Sequence, residues 1–446
     1  MTDLTSNRFS DALGRLVLVE RREWAVLWLS FAYFFCVLSA WYVLRPIRDA
    51  MGIAGGTSQL PWLFLGTLLL TLVANPVFAT LVARMPRARF ATWSYRFFML
   101  CLLGFFAMVQ WGGADAQVWT GRVFFVWASL FNLFIVSLFW AVMADVFDSG
   151  QAKRLFGFIA AGGTLGGVMG GTITALFVEA VGVAPLLLLS LALLEIALRC
   201  MRTVSAHAGR DSEVQRKAAS EAIGGGVLAG ITHAARSPYL LGICAFMLLY
   251  TIGSTFLYFV QADIVSQAFE NREARTAFFA RIDVVVNGLT LAIQLGLTGR
   301  ILGRLGIGLT LALLPVVSIL GFGALAAAPV LMVFVVFQVA RRTFNFALVR
   351  PARENLYVPL SREDKYKAKS LIDTFVYRAG DQIGAWTHAG LAAAGLGVAA
   401  IAASAMPLAA IWLVLALWLG RRHSRLIHNA PPSDTAAIER TPGDKR

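Results

Sequence analysis

Residues 24–44 read WAVLWLSFAYFFCVLSAWYVL, a run with no charged side chain. As a helix rising 1.5 Å per residue it would cross a hydrocarbon core of ~30 Å. Arg21-Arg22-Glu23 stands before it and Arg45-x-x-Arg48-Asp49 after it. A helix that is apolar all round must lie in lipid or deep inside a large core. The rest of the chain cannot supply such a core with a polar coat. Of 446 residues 58% are hydrophobic and 14% charged, whereas soluble domains carry about 25% charged residues. The mean hydropathy is +0.70.

Eleven further runs of spanning length follow, at roughly 61–83, 90–110, 119–143, 155–178, 182–199, 239–261, 278–299, 307–327, 329–349, 368–395 and 399–420. Charges intrude at the borders of the eighth and eleventh. Barrel strands are excluded, because they are ~10 residues long and alternate in polarity. The expectation is an all-α membrane protein with twelve transmembrane helices.

Lys and Arg fall unevenly between the loops. With the N-terminus inside, 29 lie in cytoplasmic segments, counting Arg199 and Lys369 at the cytoplasmic ends of their spans, and four, Arg45, Arg48, Arg272 and Arg275, in outer ones. By the positive-inside rule both termini are cytoplasmic. The same bias accounts for the net charge of +14 through topology and attraction to the lipid bilayer, with no nucleic acid needed. Asp3, Asp11 and Glu20 argue against a transit peptide, and the first span is too long for a signal peptide. Arg exceeds Lys, as in a GC-rich bacterium; a bacterial cytoplasmic membrane is the expected location and a monomer the expected state.

The longest polar stretch between spans, 201–237, holds Arg202, Arg210, Asp211, Glu213, Arg216, Lys217, Glu221 and Gly224-Gly225-Gly226. It divides the chain into 1–200 and 238–423, six spans each, with a disordered tail from 424. Two six-helix bundles joined by a cytoplasmic linker are the major facilitator-like architecture. Two internal echoes fit a duplication. Arg84, Arg87 and Arg89 follow span two, and Arg300 and Arg304 follow span eight. Phe131-Asn132 precedes Asp145 and Lys153-Arg154, as Phe344-Asn345 precedes Glu354, Lys367 and Lys369. Ser361-Arg-Glu-Asp364 has the form of a capping box before span eleven.

Enzyme signatures are missing: there is no P-loop, His-Glu-x-x-His, Gly-x-Ser-x-Gly or Cys-x-x-Cys. No catalytic residue, cofactor or metal is expected. Cys36, Cys101, Cys200 and Cys244 read as small apolar fillers, and His388 as a packing residue. Glycine pairs at 162–163, 166–167 and 170–171 make a groove for a close helix contact.

Charges inside spans carry the functional information, since each needs a partner, water or a role. Arg341 and Arg342 lie about twelve residues into span ten, near the midplane. Either they grip an anion, as guanidinium forks do, or they form structural pairs with acids on span seven, eight or eleven. Span eleven brings Asp373, Tyr377, Arg378 and Asp381. The spacing puts Asp373 and Asp381 about 80° apart on an α-helix, so the two can share a face, and Arg378 and Asp381 can pair at i,i+3. Span eight brings Arg281, Asp283 and Asn287. An acid among these could carry a proton, switch partners or simply pair. Arg45 and Arg48, with Asp49, would sit one turn apart at the outer end of span one, drawing in an anion or capping the surface. Arg96 and Arg122 lie nearer the interfaces, snorkelling or paired.

Three stretches resemble the ATP/ADP translocase family of intracellular bacteria and plastids, a divergent branch of the major facilitator superfamily. Leu44-Arg45-x-x-Arg48-Asp49 is similar to that family's Leu-Arg-x-x-Lys-Asp. Phe139-Trp140, Asp145, Gln151-Ala152-Lys153-Arg154-Leu155-Phe156-Gly157 and the glycines beyond look like its span-four to span-five passage. Pro351-x-x-Glu354-x-x-Tyr357-x-Pro359-Leu360, then Lys367-x-Lys369-x-x-Ile372-Asp373, is the most specific match. The resemblance implies nucleotide exchange by alternating access, with Arg48, Asp145, Lys369 and Asp373 as functional positions. Arg48 stands where the family has Lys, and Gln261 and Asp263 stand where a Glu is expected, which leaves the choice of anion open. The expected function is secondary active transport of a small-molecule anionic, nucleotide-like solute. A proton-coupled carrier of an unrelated small molecule is the alternative, and a non-transporting membrane scaffold or sensor a third reading.

Overall fold

The computed structural model describes residues 20, 23–84, 87–208, 237–360 and 372–428; side chains at 78–79, 81–84, 87–88, 114, 149, 153, 207–208 and 373–374 are outside that description. Among the described residues the chain is helical and has no strand.

The helices are α1 (Trp24–Ala54), α2 (Leu60–Arg84), α3 (Arg87–Trp111), α4 (Ala114–Val146), α5 (Ser149–Val181), α6 (Val183–Ala208), α7 (Pro238–Ala268), α8 (Arg272–Gly296) and α9 (Thr298–Ala327). Then come α10 (Leu331–Asn355), α11 (Tyr377–Ala393) and α12 (Val398–His428). Eleven of them are long and apolar enough to cross a membrane. The exception is α11, whose position matches the eleventh expected span and which, at 17 residues, is the shortest of the twelve. The fold is that of an all-α, multi-pass membrane protein.

The helices outrun the apolar runs at several ends. α1 passes through Pro46 and the Arg45–Asp49 charges to Ala54. α6 continues to Ala208, eight residues into the expected linker, and α12 runs to His428, past the expected start of the tail. Hydrophobicity marks where lipid ends, whereas backbone hydrogen bonding continues into the headgroup region. Within α9, Gly306 has φ +69°, a left-handed conformation open to glycine. It separates 298–305 from the expected ninth span. The proposed capping box at Ser361–Asp364 lies outside the described residues.

Two compact units form, Met1–Ala222 with Phe259–Leu291, and Ile223–Tyr258 with Ala292–Arg446. In the first unit the glycine pairs of α5 face α1. A Cβ at Gly162 would come within 2.7 Å of the Phe31 carbonyl oxygen; Gly166 and Gly170 meet the Phe35 and Ser39 carbonyls in the same way. The Ser39 hydroxyl donates to the Gly166 carbonyl at 3.1 Å. Gly163 and Gly167 receive the rings of Phe34 and Tyr42, and Gly171 receives Val284 of α8. Without a hydrophobic drive between helices in lipid, such close backbone approach supplies the attraction.

The N-terminal ends of α1 and α5 are tied by charge. Asp148 caps α5, accepting from the N–H groups of Gly150 and Gln151, each at 2.8 Å. The Gln151 side chain returns a bond from the Asp148 N–H at 3.1 Å. Gln151 Nε2 and Arg154 Nη2 then donate to Glu23 Oε1 at 2.9 and 3.0 Å. Burial pushes the Glu23 carboxyl up, but the Glu20 N–H, Arg154 and Gln151 outweigh it and hold it below its ordinary value.

Two predictions follow from this packing. Gly166→Val should destabilise by about 1–3 kcal/mol through overpacking, seen as a lower melting temperature in detergent. Gly157→Ala, whose Cβ meets nothing within 4 Å, should not. The Glu23 contribution should be fully present above about pH 4.3, the ordinary carboxyl value, and be lost as pH falls through the depressed folded value. Glu23→Gln should therefore lower stability at neutral pH and flatten its decline in acid.

Candidate functional site

In the second unit the site is built on α7, α9, α10 and α11. Arg341 is 4% exposed, and its guanidinium is held by neutral groups. Nη2 donates to Ser254 Oγ at 3.0 Å and to the Tyr250 carbonyl at 3.3 Å. Nε donates to Ser318 Oγ at 3.3 Å, and the cation lies 5.5 Å from the Tyr250 ring centroid. None of these partners is a carboxylate. A positive charge taken out of water is here solvated by hydroxyl and carbonyl dipoles and a π face, which orient it without cancelling it. Arg342, the next residue, is half-buried.

Just beyond these arginines, Asn345–Val349 forms a π-helical segment, and a second one, Ile372–Val376, leads into α11. Such widened turns recur at functional positions. α11 approaches α7 through Gly380 and Gly384. A Cβ at Gly384 would lie 2.9 Å from Thr255 Cβ and 3.1 Å from the Ile252 carbonyl, and one at Gly380 would overlap the Thr251 hydroxyl. That closeness brings Thr255 Oγ1 within 3.2 Å of Asp381 Oδ1. Arg378 Nη1 lies 3.4 Å from Asp381 Oδ2, the i,i+3 pair. Tyr250 and Tyr377 stand with ring centroids 6.3 Å apart. One stretch of α7, Tyr250 to Thr255, thus touches both Arg341 and Asp381.

In the first unit Arg45 Nη1 pairs with Asp283 Oδ1 at 2.8 Å, and Tyr42 donates to Asn287 at 3.2 Å. Arg48 lies 4.1 Å over the Phe125 ring and 3.4 Å from the buried Asp49. Arg281 meets Glu179 at 3.3 Å in an exposed pair, and Phe64 meets Phe259 with centroids 5.6 Å apart. The Phe259–Leu291 stretch is fastened to α1, α2 and α5 by these contacts. Asp145 is exposed near the end of α4. Lys369 and the Asp373 side chain lie outside the described residues. The π segment at 372–376 removes the premise that eight residues put Asp373 and Asp381 about 80° apart, because that angle holds only for an unbroken α-helix.

Sequence reasoning missed Ser254, Thr255, Ser318 and Tyr250, which carry no charge to mark them, and Glu23, which looked like a loop residue. The Asp148-x-x-Gln151 spacing is a capping-box pattern that could have located the last cluster.

The helix order is that of a major facilitator-like fold. Solved structures with the same fold include a POT family peptide transporter in an auto-inhibited form, with a TM-score of 0.60 and 15% identity over 92% of this chain and 98% of that one. The POT family transporter PepTSo gives 0.62 and 13% over 91% and 99%. The nucleoside transporter NupG gives 0.52 and 14% over 92% and 100%. A family model described as TLC ATP/ADP transporter matches residues 104–424, and the chain belongs to that family of transporters, not of enzymes. ADP,ATP carrier protein 1 of Chlamydia trachomatis serovar D is 23% identical over 329 residues, 65% of this chain and 60% of that protein. ADP,ATP carrier protein 2 of Chlamydia pneumoniae is 24% identical over 216 residues, 43% and 40% of the two. The chain therefore spans about 60% or less of the length of these curated relatives.

The Arg45–Asp283 pair allows a direct test. In a double-mutant cycle with Arg45→Ala and Asp283→Ala, the double change should lower stability by less than the sum of the two single changes, because either one alone already breaks the 2.8 Å pair. The coupling should be about 0.5–3 kcal/mol, measured by chemical unfolding in mild detergent.

Proposed function

We propose that the protein exchanges anionic, nucleotide-like solutes by alternating access, with Arg341 as the central binding cation. The observation that carries this reading is a buried guanidinium held by hydroxyls, a carbonyl and an aromatic ring. An incoming phosphate can outcompete a serine hydroxyl for a guanidinium N–H, since charge-assisted bonds are roughly twice as strong as neutral ones. A carboxylate in that place would have to be displaced at far greater cost.

In this reading Arg342 supports the second charge of the solute, and Lys369 and Asp373 take part in binding and coupling, as the family resemblance implies. Arg378 and Asp381 change partners as the solute arrives. On the other unit Arg45, Arg48, Asp49 and Asp283 form the gate: the Arg45–Asp283 bridge must open for α8 to part from α1. Asp145 belongs to the opposite end. The two sequence halves, 1–200 and 238–423, rock about the linker 201–237. The protein works as a monomer in a bacterial cytoplasmic membrane, with both termini inside.

Proteoliposomes loaded with ADP test this. Labelled ATP uptake should fall roughly 10–100-fold in Arg341→Ala, the loss of one charge-assisted contact of about 1.5–3 kcal/mol, while the folded yield is kept. Normal uptake would take Arg341 out of the site. Asp381, buried and bonded to Thr255, favours the second reading, a proton-coupled carrier. An uncoupler should leave counter-exchange intact and abolish proton-driven accumulation.

A further inference from the structure

α3 and α6 pack against each other in the first unit, and their outward surface carries an unbalanced set of charges. Arg96 of α3 pairs with Glu195 of α6, Nη1 to Oε2 at 2.7 Å. Arg199, one turn along α6, donates through Nε to Oε1 of the same carboxylate at 3.1 Å. Two guanidinium groups thus share one negative charge. They are not tucked away: the side chains of Arg96, Arg199 and Glu195 are 50%, 76% and 24% exposed.

The excess grows toward one end of the helices. Successive spans run in opposite directions, so seven residues back from Arg96 on α3 and seven forward from Glu195 on α6 reach the same level, ~10 Å away. Those positions are Arg89 and Arg202, both exposed. Between the two levels stands Trp93, also exposed, and Phe97, Leu100 and Ile196 lie exposed beside the ion pair. The surface is a ladder, with apolar side chains at the deep end and arginines toward the shallow end, and an indole between them. Indole rings settle where headgroups meet acyl chains.

We propose that the α3–α6 surface binds an anionic phospholipid, its phosphate taken by Arg199 and Arg202 and its acyl chains lying along Trp93, Phe97 and Leu100. Charge complementarity selects the occupant. Four arginines against Glu195 leave three positive charges on a surface bordered by exposed apolar side chains, and basic sites between membrane helices take anionic headgroups. A dissolved phosphate would satisfy the guanidinium forks but leave the exposed aromatic and aliphatic stripe without a partner. A phospholipid satisfies both. Arg96 and Glu195 form the floor of the site: their ion pair fixes the carboxylate that holds Arg199 in place.

The test uses the full-length protein in nanodiscs of phosphatidylcholine alone or with phosphatidylglycerol. Phosphatidylglycerol should raise the melting temperature, and one such lipid per chain should be retained on release into a native mass spectrometer. In Arg199→Gln/Arg202→Gln the melting increment should fall by at least half and the retained lipid should be lost. The control Arg421→Gln/Arg422→Gln, which removes two exposed arginines elsewhere, should keep both. Equal losses in the two variants, or none in either, would overturn the site. Inorganic phosphate that reproduces the full increment in phosphatidylcholine would assign it to a free anion and overturn the lipid. Should Arg199→Gln/Arg202→Gln not fold, Arg199→Lys/Arg202→Lys keeps the charge without the planar fork; it should retain phosphatidylglycerol less than the parent, and unchanged retention would count against the guanidinium contacts.

Discussion

A polar group inside a bilayer has no water to fall back on, and the rest of this structure depends on that constraint. Each backbone N–H and carbonyl in hydrocarbon must bond within its own helix, which is why the described chain is helical throughout. The same constraint governs side chains. Serine and threonine hydroxyls along α2, α4, α7 and α9 return to carbonyls three or four residues back, as Thr67 does to Leu63 and Ser318 to Leu314. Where two helices must come within backbone distance, as α5 and α1 do, glycine removes the obstacle and the remaining hydroxyl, Ser39, finds a carbonyl across the contact.

Charges face the same requirement, and the protein meets it in three ways. Arg45 and Asp283 neutralise each other at 2.8 Å. Glu195 is shared between two arginines at the protein surface. Among the described residues Arg341 receives dipoles only. The three differ in what is left over. A closed pair leaves no net charge behind. A shared carboxylate leaves an exposed positive charge for the surroundings. A guanidinium held by hydroxyls keeps its whole charge, screened but not cancelled, in the middle of a span. The last arrangement is the least stable on its own terms, and a structural role alone would be served better by an apolar side chain.

Much of the fold was legible because lipid imposes a crude rule, and the apolar runs coincide with the helices found. The ends were not legible. α1 carries Arg45, Arg48 and Asp49 inside the helix because each finds a partner: Asp283, the Phe125 ring and Arg48 itself. Asp283 lies 238 residues away in sequence, and no local pattern reveals that. Likewise the depth of Arg341 could be read from the span, but its neutral surroundings could not, since Ser254 and Ser318 look like any other small residues in a membrane helix.

The π segments mark the sharpest limit of such reading. Each adds a residue to one turn, so everything after it is rotated by about 100° from where an α-helix would put it. Upstream of Phe344 the apolar pattern tells which side of α10 faces its neighbours; downstream of Val349 the same count gives the wrong face. The shift at Ile372–Val376 does the same between Asp373 and Asp381. An extra residue in a helix costs hydrogen-bond geometry and persists only where packing holds it. Here it sits beside the two charged clusters of the second unit, between residues that contact the α7 face and residues that the family resemblance implies. Periodicity assumes a constant turn, and among the described residues both π segments depart from one beside charged side chains, Arg341 and Arg342 before the first and Arg378 and Asp381 after the second.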